Sequence, residues 1–422
     1  MQRAQRPGAH QPTRSKARPL SDIRVVSIEQ AVAAPLCTRH LLDLGADVIK
    51  IERVGSGDFA RDYDHAVNGQ STHFVWLNAG KRSVALDLKH RAGVEVLHRL
   101  LSTADVLVSN LGPGALDRIV GPRTLTRRYP SLVRCAISGY GPAGPYRDRK
   151  AYDLLVQGEA GVTLSTGTLG APAKAGVSLV DLAAGSYALS AILAALLNRT
   201  RTGRGTNLNI SMFDAMLEWM TPLLLMQQLT GEVPEPAGMH HATIAPYGAY
   251  RTSDGVLINI AVQNDREWRR LCSLVLKAEG LASDPRFHTN ERRLRNRPEL
   301  ESTVAAACSR HTADELITTL DTAGIPWGYL NDAAQVLAHP QLLAAKKPRE
   351  VRMPTGRTVS LPDTALALGP RPRNRQMVPA LGAHTLEVLD ALGYPTSDVD
   401  RLVRTGIVGV GEDAFDGTVE ET

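Results

Sequence analysis

From residue 22 onward the chain alternates short apolar runs with helical patterns, and this alternation constrains the fold more than any other feature. Ile23 to Ile28 reads as a buried strand, Pro35 to Leu44 as a helix, and Asp47 to Ile51 as a second strand. An apolar run followed by a helix-length crossover marks a parallel strand covered on both faces. The unit recurs, with a helix near Arg91 to Ser102, a strand at Asp105 to Val108, a helix around Leu125 to Tyr129 and a strand at Leu132 to Ile137. Such crossovers are right-handed, so the expected fold class is α/β. It has a Rossmann-like large domain, a mostly parallel sheet, and ligands near the carboxyl ends of the strands. No GxGxxG follows the first strand, so a nicotinamide or flavin site has no phosphate cradle there.

Beyond Gly176 the character changes. Leu182 to Asn198 is apolar almost all round and dense in Ala, Gly and Ser, which marks a helix buried against close neighbours. Arg199 and Arg201 suit its negative end and Gly203 its termination; Thr206 to Ile210 then extends and Met212 to Leu229 reads as another long helix. The expected division is a disordered basic tail (1–21), the large domain (22–225), a smaller α+β domain (226–340), a return to the large domain (341–406) and an acidic tail (407–422). In the smaller domain, strands are expected at Gly248 to Tyr250 and Val256 to Ala261, and helices at Asp265 to Leu276, Pro298 to Cys308 and Ala313 to Ala323. The return is rich in Pro and Arg through Arg375 and closes on a helix at His384 to Leu392.

The formal net charge of +5 invites a nucleic-acid reading. Residues 1–20, however, carry Arg3, Arg6, Arg14, Lys16 and Arg18 with no acid, so the remainder is neutral. No aromatic stacking platform or recognition helix accompanies the basic residues, and no nucleic-acid partner is expected. Cys37, Cys135, Cys272 and Cys308 are scattered and form no CxxC pair, which points to a reducing compartment and no zinc site. Without a secretory apolar stretch or a run of about 18 uninterrupted apolar residues, the expectation is a cytoplasmic protein with no membrane partner.

Asp181, in GVSLVDLAAGSYALS, lies where an extended segment meets the buried helix. On spacing alone it is a helix cap accepting the first unpaired N–H groups. The same position favours an ionised carboxylate, which is what attack on a thioester carbonyl requires. Gly139 to Pro145 reads GYGPAGP; it is a tight loop whatever the function, and it brings Lys150, Tyr152 and Asp153 toward the sheet's carboxyl edge. Arg53, Lys81, Arg82, Lys89 and Arg118 each follow a strand or loop. Singly each reads as a solvated surface charge. Together at one sheet end they can neutralise the pyrophosphate and ribose phosphate of a carrier. His240 and His241, in MHHATIAPYGAY, match no metal-site pattern and read as loop residues, while Trp268 in NDREWRR packs in a core.

These pieces, in order, resemble the class III CoA-transferases of the CaiB/BaiF type over residues 22–400. The matching stretches are IRVVSIEQAVAAPLCTRHLLDLGADVIKIERVGSGD, NAGKRSVALDLK, ADVLVSNLGPGALDRI, GYGPAGPYRDRKAYDLLVQGEAG, VSLVDLAAG and RTGRGTNLNISMFDA. The resemblance implies that Asp181 is the nucleophile. It also implies that coenzyme A is held by positions falling on Val32, Ala33, Arg53, Leu86, Lys89, Asn110, Leu111, Arg118, Lys150, Tyr152 and Asp153. Where formyl-CoA:oxalate transferase has a glutamine this chain has Val32, and where that enzyme has a mobile polyglycine loop this chain has the MHHATIAPYG segment; both speak against oxalate.

The implied activity moves coenzyme A from an acyl-CoA donor such as succinyl-CoA to a C4–C5 dicarboxylate, through an aspartyl anhydride and an aspartyl-CoA thioester. Coenzyme A is a substrate here, with no permanently bound cofactor and no metal. The family also implies an interlocked-ring homodimer. Two other readings stand beside this one. The racemase branch pairs a His and an Asp in a GHD triplet, but the matching positions are Ala151, Tyr152 and Asp153, and a tyrosine with a pKa near 10 is a poor base. The third reading is an acyl-CoA-binding protein without turnover.

Overall fold

A computed structural model describes residues 18–121, 123–345, 348–366 and 376–411. The described chain forms two compact units, one of residues 18–156, 177–218 and 348–411, the other of 157–176 and 219–345. Most of the basic tail (1–17) and the acidic end (412–422) lie outside the described residues. Residues 18–21, expected to belong to that tail, are packed instead: Leu20 is buried, its N–H donates to the Leu44 carbonyl at 3.0 Å, and Arg18 Nη1 reaches the Asp43 carbonyl at 3.0 Å.

The first unit is built on a seven-stranded sheet. Six strands are parallel: β1 (Arg24–Ile28), β2 (Asp47–Glu52), β3 (Arg82–Leu86), β4 (Val106–Ser109), β5 (Val133–Ser138) and β6 (Asn207–Ser211). Their order is β3-β2-β1-β4-β5-β6, and the short strand Val408–Gly409 adds antiparallel to the β3 edge. β1 to β4 are buried along nearly their whole length, so their apolar residues do not alternate with exposed ones, and polar residues among them such as Lys50, Glu52 and Ser83 are buried too. The order reverses at β1, so the crevice beyond the carboxyl ends of β1 and β4 is the place where an open sheet of this kind receives a ligand.

Helix α1 (Ala33–Asp43) follows β1, α2 (Arg91–Leu101) follows β3, and α3 (Leu179–Thr202) precedes β6. α1 packs on α3, and the close approach depends on Gly185: a Cβ there would lie 2.6 Å from the Ala33 carbonyl oxygen. Although none of its apolar runs reaches about 18 uninterrupted residues, α3 is by length and composition apolar enough to cross a membrane, with a mean hydropathy of 1.8 over its most apolar 18-residue window. Half of that window is buried, with Val180, Ala183, Ala184, Ala188 and Ile192 inside, so the helix is apolar because it serves a core. Helix α4 (Met212–Thr230) follows β6 directly.

Two elements at the chain's end were not expected. Helix Thr396–Arg404 and strand Val408–Gly409 return the chain to the sheet, so the acidic tail begins later than residue 407. The Pro- and Arg-rich return contains a hairpin of Arg349–Arg352 and Thr358–Leu361, while residues 367–375 of it fall outside the described residues.

The second unit has an antiparallel sheet in which Leu257–Ala261 is central, flanked by Tyr247–Arg251 and Trp327–Tyr329. Helices Arg297–Cys308 and Ala313–Ala323 cover it, the latter opened by a reciprocal Thr312–Glu315 capping box. The expected long helix from Asp265 is shorter and passes into a π-turn at Leu271–Val275. Trp268 is buried as expected, and the guanidinium of buried Arg293 lies 5.1 Å from its ring.

Candidate active site

α3 begins at Leu179, earlier than the apolar pattern suggested, so Asp181 is its third residue and not its cap. The cap position is Ser178, whose side chain makes no capping bond. The capping carboxylate comes from elsewhere: Asp153 Oδ1 accepts the Val180 N–H at 2.8 Å and the Asp181 N–H at 3.3 Å. Asp153, read from the sequence as a ligand contact, thus does the work that the cap reading assigned to Asp181. Among the described residues the Asp181 carboxylate has no hydrogen-bond partner of its own.

The electrostatics also differ from expectation. A helix N-terminus was expected to hold Asp181 ionised at neutral pH, but burial, joined by the negative charge of Asp153, pushes its carboxyl up to about 7. The first helix amides are already engaged by Asp153, and among the described residues no cation offsets the desolvation of Asp181. The group is therefore poised between acid and carboxylate near neutrality.

Tyr152, adjacent to Asp153, also lines a cavity of about 540 Å³ at the carboxyl ends of β1, β2 and β3. Of the sequence-predicted positions this cavity gathers Arg53, Leu86, Lys89, Leu111 and Tyr152. Its rim carries the exposed cations Arg53 and Lys89, and its wall the apolar Ile28, Ile51, Leu86, Leu88 and Ile119. That pairing suits a ligand with anionic groups joined to an apolar chain.

The other predicted positions are placed differently. Asn110 spends its side chain on the turn after β1: its Oδ1 accepts the Gln30 N–H at 2.9 Å and its Nδ2 donates to the Gln30 carbonyl at 2.8 Å. Val32 and Ala33 are buried, the former packed with Leu36 and Leu77, so they can offer a ligand backbone but not side chain. Arg118 is exposed on the helix Ala115–Val120 with its guanidinium 3.3 Å from the Pro113 carbonyl, and exposed Lys150 is not among the cavity-lining residues.

Lys81 and Arg82 correct the basic set outright. Lys81 immediately precedes β3 and Arg82 opens it, so both stand at the opposite end of the sheet from Arg53 and Lys89. Arg82 is tied to Asp47 and Glu387. Lys81 is neither solvated nor placed for a phosphate: its ammonium is fully buried and donates to Glu29 Oε1 at 2.7 Å, the Pro35 carbonyl at 3.0 Å and Asn78 Oδ1 at 3.1 Å. Burial, aided by nearby Lys50, lowers it to about 8.

Sequence reasoning also missed a buried ionic chain under the cavity. Lys50 Nζ donates to Asp58 Oδ2 at 2.7 Å and lies 3.6 Å from Glu29, all three side chains fully buried. Glu52 accepts from Arg61 at 2.8 and 2.9 Å and from the Ser83 hydroxyl at 2.6 Å; burial opposes its charge, but Arg61 prevails and holds it at about 2. Burial likewise opposes the charge of Lys50, yet Glu29 and Asp58 raise it above its ordinary value. The available signal was Lys50 between Ile49 and Ile51 inside a strand of the central sheet, since a lysine buried there demands carboxylate partners. Tyr63 was missed as well; it senses Asp58, Asp181 and Tyr152 together, and burial first, then these charges, push its hydroxyl up to about 12.

His240 and His241 belong to the second unit and take no part in this arrangement. The His240 ring fills the space left by Gly248, where a Cβ would lie 2.1 Å from its Nδ1, and His241 stacks on Tyr247. Among the described residues no group of three or more His, Cys, Asp or Glu side chains is placed to hold a metal ion.

A sequence model described as CoA-transferase family III matches residues 20–385. The chain belongs to that family. It is a class III CoA-transferase by this match and by its named relatives. The succinate–glutarate CoA-transferase of Agrobacterium fabrum is 33% identical over 89% of this chain and 96% of its own length. The succinyl-CoA:glutarate CoA-transferase of Mus musculus is 31% identical over 93% of this chain and 90% of its own. Among solved structures, a CAIB/BAIF family protein from Brucella suis superposes with a TM-score of 0.75 at 32% identity, covering 89% of this transferase and all of that chain. The mostly parallel α/β sheet is thus the architecture of the family as well as of this chain.

Proposed function

We propose that this transferase moves coenzyme A from succinyl-CoA or a similar acyl-CoA to a C4–C5 dicarboxylate, with Asp181 as the nucleophile and the β1–β3 cavity as the coenzyme site. The observation that carries the reading is the division of labour at the head of α3. Asp153 satisfies the helix amides and leaves Asp181 desolvated and without a hydrogen-bond partner among the described residues, a state that favours reaction over structural service. The named activities of the Agrobacterium and mouse relatives support dicarboxylate substrates.

In this reading the Asp181 carboxylate attacks the donor thioester carbonyl, the C–S bond breaks, and coenzyme A leaves as thiolate from a mixed anhydride. The thiolate attacks the aspartyl carbonyl, expelling the donor acid as its carboxylate and forming an aspartyl-CoA thioester. The acceptor carboxylate attacks that carbonyl in turn, and the released thiolate then takes the acceptor's acyl carbon and restores Asp181. Holding thiolate and anhydride together supplies effective molarity worth about 7–11 kcal/mol of the barrier. Arg53 and Lys89 face the carrier's phosphates, and the apolar cavity wall takes the pantetheine chain.

Exposed apolar residues on α3 and α4, among them Leu197, Leu224, Leu225 and Leu229, are consistent with the homodimer implied by the family. The four thiols are free and buried, which accords with a reducing, cytoplasmic setting. A panel of acyl-CoA donors against dicarboxylate acceptors, read by chromatography, tests the substrate assignment. Exchange is expected between succinyl-CoA and C4–C5 dicarboxylates with the wild type and none with a folded Asp181→Ala variant. Full turnover by that variant removes Asp181 from the chemistry.

A further inference from the structure

The turn that joins β1 to α1 is held from two sides. On one side Asn110 grips the Gln30 backbone at both its N–H and its carbonyl. On the other, Asp58 Oδ1 accepts the Ala31 N–H at 3.1 Å and also the Ala60 N–H at 2.9 Å. Ala31 needs such a hold because its φ of 62° is left-handed, a conformation side chains other than glycine seldom adopt. Asp58 is in turn oriented by Lys50, which takes its other oxygen at 2.7 Å in surroundings with no exposure. Gln30 and Asp58 both line the cavity, and Gln30 Oε1 accepts from Arg53 Nη2 at 3.1 Å. The turn therefore sets where that rim arginine stands and where α1 begins.

We propose that the buried Lys50–Asp58 ion pair is a positioning device for coenzyme A: it locks Ala31 in its left-handed turn and so fixes the Gln30–Arg53 wall of the cavity. The inference rests on reading that cavity as the coenzyme site. Lys50 and Asp58 touch no substrate; their effect passes through Ala31 and Gln30. A displacement of the wall by a fraction of an ångström weakens ligand binding without touching the nucleophile.

Asparagine at position 58 gives an isosteric probe. Its amide can offer oxygen to the Ala31 and Ala60 N–H groups only by aiming its NH2 at the Lys50 ammonium, and flipping it sets NH2 against the two backbone donors. Either way one contact becomes a clash of donors. Replacing Lys50 by Met in the same molecule removes the conflict, because the amide oxygen can then face the turn and its NH2 a neutral side chain.

The test is calorimetric titration of coenzyme A into the full-length protein, with kcat and KM for succinyl-CoA measured alongside. Asp58→Asn is expected to weaken coenzyme A binding and raise KM by about tenfold with kcat within about threefold, and Asp58→Asn/Lys50→Met to recover the affinity to within about threefold of wild type. A rescue of this kind separates positioning from general loss of stability. Wild-type affinity in folded Asp58→Asn, or a folded double variant no tighter than the single, overturns the proposal. Should Asp58→Asn not fold, Ala31→Val leaves the ion pair intact but cannot adopt the turn; about tenfold weaker binding supports the proposal, and unchanged binding overturns it. Arg53→Ala serves as the control: if it and Lys89→Ala both bind coenzyme A as the wild type does, the cavity assignment itself fails and the proposal with it. If they weaken binding while the Asp58 variants do not, only the positioning claim falls.

Discussion

At the scale of single residues, Asp181 shows how a carboxylate's surroundings decide its chemistry. Its ordinary value of 3.8 rises to about 7 because the folded chain buries it beside Asp153. An acid raised in this way penalises the folded state whenever it is ionised: the penalty is absent below about pH 4 and complete above about pH 7. Asp181→Asn is accordingly expected to stabilise the protein at pH 8 by about 2–4 kcal/mol and by almost nothing near pH 4, as thermal melts at the two pH values will show. The same titration governs the nucleophile, so kcat/KM for the acyl-CoA should rise with pH on a limb centred near 7. An acid limb near 4 would show that Asp181 is not desolvated in the free enzyme. From the sequence, Asp181 was recognisable as a residue of interest, but its state was not. The cap carboxylate, Asp153, stands 28 positions away, and no local spacing rule connects the two.

The elements themselves were legible where periodicity is strong. β1, α1, β2, α2, β4 and β5 fall within about two residues of their expected ends, because each carries closely spaced apolar residues of strand length or a full helical repeat. β3 and the strand Val408–Gly409 went unread for different reasons. Arg82–Leu86 opens with charge that serves ion pairs with Asp47 and Glu387, and a two-residue strand has no period to detect. The contact between α1 and α3 likewise depends on a single missing side chain. Gly185→Ala puts a methyl 2.6 Å from the Ala33 carbonyl and 3.2 Å from Leu36 Cδ2, and should destabilise the protein by about 1–3 kcal/mol. Gly158→Ala, in a helix with nothing near its absent Cβ, should be neutral or stabilise by about 0.5–1 kcal/mol. Equal melting temperatures for the two variants would show that the α1–α3 approach is looser than described.

For the whole molecule, the sequence conveyed the family because six separated motifs recur in order, whereas the buried charges could be read only once the chain was folded. Lys81 looked like a surface cation because two of its partners, Glu29 and Pro35, stand 52 and 46 positions away in the chain. Large apolar side chains left exposed at Leu197, Leu224, Leu225 and Leu229 predict a dimer, to be measured by light scattering. Leu229→Asp should shift the population toward monomer; a wild-type protein that is monomeric at micromolar concentration would refute the assembly. The claim on which the rest depends is that Asp181 becomes covalently bonded during turnover. The direct measurement is to mix the enzyme with succinyl-CoA, quench with hydroxylamine and map the modified peptide by mass spectrometry. The account predicts a hydroxamate on Asp181 that is absent without the thioester; a modification on any other residue, or none under conditions of active turnover, would contradict it.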